Sequence, residues 1–208
     1  MKEINPNALV RVHVGEGIFN ERQGHINNMP TIKDKLEADG VQFIVYDSQY
    51  ELFAGVWITG PIERIHDEKN WFDHIKIKIG DDLIEDYVPE DQSLVIDTSD
   101  GFVLVSGCGH SGIVNSLEHI RSNIDDKNVF TVIGGFHLLD ASDEHLKWTS
   151  EKLQSFGVSN IIGAHCTGIN SLYTLRSLMN LDRSNAVVGS VGDSFDLKNG
   201  INAGHITR

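Results

Sequence analysis

The chain has 208 residues and a formal net charge of −13, with no cluster of lysine and arginine, so a nucleic-acid partner is excluded. A hydrophobic content of 40%, a charged content of 23% and only four prolines exclude a low-complexity or fibrous chain. No apolar run approaches the ~18 residues of a spanning helix, no signal-peptide core is seen, and two cysteines do not make a secreted disulfide framework, so no membrane partner and a cytoplasmic location are expected.

Residues 9–14 (Leu-Val-Arg-Val-His-Val) alternate apolar and polar side chains, which predicts a half-buried strand with His13 on its polar face. Residues 15–30 read as a loop. Thr31 is expected to cap a short helix through Leu36 that Asp39-Gly40 ends, with strands following over 41–46 and 52–59. Residues 61–92 carry most of the acidic clusters together with His66 and His74, and only 75–79 show clear periodicity. They are expected to form a long, partly ordered excursion.

After Asp91 strands and helices alternate. Residues 93–97 and 102–106 predict two strands joined at Ser99-Asp100-Gly101. The next helix should use Ser111 as its cap and bury Ile113, Val114, Leu117, Ile120 and Ile124. A strand-like run starts at Val129. Ser142 opens a helix that buries Leu146, Thr149, Leu153 and Phe156 and stops at Gly157. Another strand starts at Asn160, a helix spans about 171–179 and a last strand spans 186–191. Residues 198–208 read as a loose tail, and residues 1–208 as a single α/β domain.

Three of these units share one layout: an apolar strand, a glycine-containing turn that delivers a histidine, and a helix. The histidines are His110, His137 and His165, about one strand-plus-helix unit apart. Parallel strands would bring all three to one sheet edge, the edge where open α/β sheets bind ligands. Neutral imidazole is a common metal ligand, so the three are candidate metal ligands. A lone histidine beside a packing glycine is more often a satisfied core residue, and it is the repetition that favours a metal centre.

Ser111-Gly112 opens a helix whose free N–H groups could hold a phosphate or carboxylate. Thr167-Gly168 repeats that design after His165, giving four candidate substrate-binding residues. Cys166 reads as a small buried hydrophobe rather than a ligand. The other histidines, namely His13, His25, His66, His74, His119, His145 and His205, read as solvated side chains. Asp67 and Asp73 read as an acidic surface loop, and Asp193 and Asp196 as turn residues.

The segments Gly107-Cys-Gly-His-Ser-Gly-Ile-Val-Asn115, Ile133-Gly-Gly-Phe-His-Leu138 and His165-Cys-Thr-Gly168, in this order, resemble the metallo-β-lactamase superfamily. Within it they are similar to the branch named for 7,8-dihydropterin-6-methyl-4-(β-D-ribofuranosyl)aminobenzene-5′-phosphate synthase, a methanopterin-pathway enzyme. The resemblance extends to Ile4-Asn-Pro-Asn7 and Asp91-Gln-Ser-Leu94. It implies an αββα sandwich with a binuclear zinc, manganese or iron site, hydrolase or transferase chemistry, and a small phosphorylated or pterin-like substrate. By family position His110 would ligate the first metal and His165 the second. The bridging aspartate's place falls within 134–137, where no acid stands, so either His137 substitutes or the bridge is absent. The family's His-x-His-x-Asp-His motif does not occur in these residues. The expectation is therefore an N-terminally incomplete member with reduced or absent turnover. The alternative is a catalytically silent binding or assembly module whose open sheet edge favours a homo-oligomer.

Overall fold

The computed structural model describes residue 5 and residues 10–24 and 29–204. In chain order the elements are β1 (Arg11–Gly15), β2 (Arg22–Gln23), α1 (Met29–Ala38), β3 (Gln42–Tyr46), β4 (Tyr50–Phe53), β5 (Val56–Ile58), β6 (Lys76–Ile79), β7 (Asp82–Glu85), β8 (Ser93–Thr98) and β9 (Gly101–Ser106). They continue with α2 (Ile113–Asn123), β10 (Val129–Gly134), α3 (Asp143–Ser155), β11 (Asn160–Gly163), a 3₁₀ turn (His165–Thr167), α4 (Ile169–Leu178), β12 (Ala186–Val188), β13 (Ser194–Asp196) and β14 (Gly200–Asn202).

Seven strands form one mixed sheet in the order β12-β11-β10-β9-β8-β5-β4. The strands β9 to β12 pair parallel, as strand–helix–strand units require. β8 and β5 join antiparallel, and β8–β9 is the hairpin that Ser99-Asp100-Gly101 predicts. Among the described residues the architecture is mixed α/β, a central sheet with four α-helices. In place of a second large sheet, the described residues form a parallel β1–β3 pair, a three-stranded β2-β6-β7 group and the β13–β14 hairpin.

The two-residue period of the strands decides which side chains enter which core. Val132 and Ile161 pack with Leu117 and Ile120 of α2, Leu153 of α3 and Leu172 and Leu175 of α4. Their chain neighbours Ile133 and Ile162 pack in a separate cluster with Val187 and Ile201. Leu117, Ile120, Leu172 and Leu175 are all 0% exposed, and each side chain so buried contributes roughly 1.5–3 kcal/mol. No helix among the described residues is long and apolar enough to cross a membrane.

Several elements depart from the sequence reading, each for a local reason. The run 52–59 is two strands, because Gly55 takes φ 74 and turns β4 back on β5, with its amide held by Glu51 Oε1 at 2.8 Å. α1 starts at Met29, with Pro30 in its first turn, so Thr31 lies inside the helix. Gly112, not Ser111, is the N-cap of α2. Within the expected tail Gly200–Asn202 is a strand paired with β13, and Ile201 is buried beneath it. Asp193 and Asp196 do close turns, accepting the amides of Ser190 and of Lys198 and Asn199. His25, His205 and the last residues of the tail lie outside the described residues.

Candidate functional site

The turns that follow β9, β10 and β11 are nested against one another. Gly135 N donates to Gly107 O at 2.9 Å, and Ala164 N donates to Gly134 O at 2.8 Å, so the parallel ladder continues past the strand ends. The packing leaves no room for side chains: a Cβ on Gly134 would lie 2.0 Å from Ser106 O, and one on Gly135 would lie 2.5 Å from Gly107 O. His137 and His165 themselves sit in the left-handed region, at φ 50 and φ 52. That backbone costs roughly 1–2 kcal/mol for each non-glycine residue, which the surrounding ladder offsets.

His110 and His137 meet at this rim, with ring centroids 4.6 Å apart. His110 Nδ1 lies 2.6 Å from the carbonyl oxygen of Asn70. A carbonyl only accepts, so Nδ1 carries the hydrogen and Nε2 keeps its lone pair for a ligand. Beside the imidazoles stand both cysteines of the chain. Cys108 Sγ lies 3.1 Å from Cys166 Sγ and 3.5 Å from His137 Nδ1, and Cys166 Sγ lies 2.9 Å from Cys108 O. The donor atoms of Cys108, His137 and Cys166 all fall within 4.8 Å of one another, a compact group that includes neither His110 nor His165. Cys166, read from the sequence as a buried hydrophobe, is half-buried beside potential ligands.

Burial and neighbouring charge set the protonation states here. Burial, then the Cys166 thiol, then the charges of Cys166 and Asp91 push the Cys108 thiol up to about 12. Burial and the nearby His110 hold His137 below the ordinary histidine value, against the opposing pull of Asp140 and Asp91, and His165 adds to the depression. At neutral pH His137 is therefore a neutral donor.

The four residues expected to bind substrate have other partners. At the start of α2 the Glu68 carboxylate already occupies the place of an anion, accepting from Asn115 N at 2.8 Å and Val114 N at 3.3 Å. Asp91 Oδ2 takes the amide of Ser111 at 2.6 Å. Ser111 and Gly112 are buried beside these carboxylates. Thr167 Oγ1 accepts from Phe136 N and donates to Gly134 O. Gly168, at φ 79, packs so closely on Leu139 that a Cβ would lie 2.9 Å from its Cα. These contacts hold turns together.

A cleft of about 470 Å³ opens in front of the rim, walled by His137, Cys166, Trp71, Phe72, Asp140 and His145. Trp71 is oriented by a hydrogen bond from Nε1 to Glu85 Oε2 at 3.2 Å. Four of the remaining described histidines are less free than expected: His13 bonds Tyr46, His66 faces Glu118, His119 bonds the Thr59 carbonyl and the His145 ring lies tilted against Trp148. His74 is exposed, as expected.

Sequence reasoning missed Glu68, Asn70, Asp91 and Cys108 as parts of this site. For Cys108 the signal was present, since both cysteines of the chain adjoin rim histidines. For Glu68 and Asn70 no local pattern marks a loop residue that packs about 40 positions away along the chain.

No protein-family model matches the chain. A 7,8-dihydropterin-6-methyl-4-(beta-D-ribofuranosyl)-aminobenzene-5'-phosphate synthase of Methanocaldococcus jannaschii is 33% identical over 145 residues, covering 68% of this chain and 49% of that protein. An uncharacterized protein of the same organism is 30% identical over 151 residues, covering 71% and 52%. The chain thus spans about half the length of these curated relatives. A crystal structure described as a metal-dependent hydrolase of the β-lactamase superfamily matches with a TM-score of 0.67 over 82% of this chain and 66% of that one. At 22% identity that likeness is one of fold.

Proposed function

The chain is metallo-β-lactamase-like in fold and related in sequence to a dihydropterin ribofuranosylaminobenzene phosphate synthase, and from that premise we propose that it is a metal-dependent protein acting on a small phosphorylated, pterin-like molecule in the cleft beside its histidine rim. The observation that supports this reading is the parallel set β9, β10 and β11, whose following turns carry His110, His137 and His165, with His137 on the cleft wall. Zinc, manganese or iron suits imidazole donors, and His110, His137 and His165 are the histidines that would hold the cation. A bound cation would supply Lewis-acid stabilisation of charge developing on a phosphoryl or carbonyl oxygen.

The chain's own residues prepare that chemistry. The Asn70 carbonyl fixes the His110 tautomer, and burial keeps His137 unprotonated. The faces of Trp71 and Phe72 offer a surface on which a planar heteroaromatic ring can stack. Asp67 and Asp140 also line the cleft, so an anionic substrate would be repelled until a cation is in place.

A second reading, a catalytically silent binding module, is favoured by the engagement of Ser111, Thr167 and Gly168 in contacts that hold turns together. Elemental analysis of protein purified without chelator, followed by a pterin titration read by Trp fluorescence, tests the proposal. Stoichiometric metal with metal-dependent pterin binding is expected. Sub-stoichiometric metal under every loading condition would sink it, and metal-dependent binding without turnover of any phosphorylated pterin would favour the silent module.

A further inference from the structure

We propose that Cys108, Cys166 and His137 form a thiolate-containing site for one soft divalent cation of the zinc class. This deepens the metal reading of the rim by naming its sulfur donors. It rests on that reading for the presence of a cation and not for turnover.

The geometry suits such an ion. Sulfur bonds zinc at about 2.3 Å and imidazole nitrogen at about 2.0–2.1 Å, so donors on one tetrahedral ion stand roughly 3.5–3.8 Å apart. The Cys108 Sγ to His137 Nδ1 distance of 3.5 Å already matches. The two sulfurs, at 3.1 Å, need open by about 0.7 Å. Both cysteines are free thiols and half-buried, which protects them from bulk solvent while leaving Cys166 on the cleft wall.

Charge gives the second argument. Three imidazoles neutralise none of a divalent ion's charge, whereas two thiolates neutralise all of it. When the ion binds, each S–H gives its proton to solvent as its sulfur–metal bond forms, so two protons leave for each cation bound. A third argument is space. A Cβ on Gly135 would lie 3.0 Å from Cys166 Sγ and 3.1 Å from the Cys108 Cα, so the absence of a side chain there keeps the sulfurs accessible. Three protein donors would leave a fourth position of a tetrahedral ion open, the pattern of catalytic rather than structural zinc.

The test is titration of the full chain, reduced and freed of metal, with Co²⁺. Expected are one ion bound per chain, a sulfur-to-cobalt charge-transfer band in the near ultraviolet, two protons released, and both thiols protected from alkylation by Zn²⁺. Cys108→Ser and Cys166→Ser should each weaken binding at least ~10-fold and diminish the band. His13→Ala and His119→Ala, which lie outside the donor group, should retain it. Cation binding without a charge-transfer band, abolished instead by His110→Ala or His165→Ala, would overturn the thiolate site and leave the imidazole reading standing. No binding at all would overturn both. A Cys108–Cys166 disulfide that persists by mass under reducing purification would also overturn the thiolate site. Should a serine variant fail to fold, judged by circular dichroism, thiol protection in the unsubstituted chain decides: unprotected thiols in the presence of bound Zn²⁺ refute the proposal.

Discussion

The carboxylate of Glu68 accepts the backbone amide of Asn115 at 2.8 Å, so a residue of the 61–92 excursion caps α2 from outside its own segment. Asn115 returns the contact, its Oδ1 accepting the amides of Ile65 and His66 at 3.0 and 2.8 Å. The excursion and the first helix of the parallel half are thereby locked together directly behind the rim.

Burial outweighs those amide donors and pushes Glu68 up to about 7, from an ordinary 4.5. The folded state then holds a proton that the unfolded chain has lost, so stability falls as pH rises from about 4.5 to about 7 and levels off above. The loss should approach ~3 kcal/mol. Urea unfolding at pH 5 and pH 8 should show it, and Glu68→Gln, which keeps an acceptor oxygen, should flatten it. An equal slope in both proteins would refute this account.

Arg22 should be among the most costly residues to remove. Its Nε lies 2.6 Å from Asp86 and its Nη2 2.6 Å from Glu90, with side-chain exposures of 3%, 7% and 11% for the three residues. Arg22→Met strands two buried carboxylates and is expected to destabilise by about 3–5 kcal/mol in urea unfolding. Replacing all three residues by apolar ones of similar volume should recover most of that loss. If the single exchange is neutral, the cluster is not holding β2 against the segment before β8.

Glycines at the rim and away from it should behave differently. Gly134→Ala places a Cβ 2.0 Å from Ser106 O and is expected to give insoluble or unfolded protein. Gly80, in the β6–β7 turn at φ 61, has open space around it, so Gly80→Ala should cost only about 1 kcal/mol of backbone strain. Thermal unfolding of the two variants side by side makes the comparison.

Imidazole NMR should find His137 titrating below the ordinary histidine value. Because the folded value is depressed, this group's contribution to stability is present above the unfolded value and is lost as pH falls through the folded one. His110→Gln removes one repelling charge, so the His137 midpoint should move upward. A midpoint that stays in place would show that His110 is not responsible.

Much of the parallel half was legible because its signals are local. Apolar runs ending in glycine marked β9, β10 and β11, and Ser142 with Asp143 and Glu144 marked the start of α3, where the Ser142 hydroxyl does accept His145 N at 3.2 Å. What escaped depends on distant partners. Ser111 looks like a cap until Glu68 arrives from the excursion, and a run of β-formers at 52–59 conceals a turn that only the φ of Gly55 reveals. Three histidines could be assigned to one edge from topology, yet topology does not say which donor atoms converge. That depended on backbone twists at His137 and His165, which bring the sulfurs one residue from His165 and two from His110 into the group.

Because β9, β10 and β11 are immediate neighbours in the sheet, their turns repeat at the interstrand spacing of about 4.8 Å. The edge thus fixes the pitch at which His110, His137 and His165 leave the sheet, whatever side chains stand there. Side chains can be exchanged at these marks while the hydrogen-bonded ladder keeps the marks where they are.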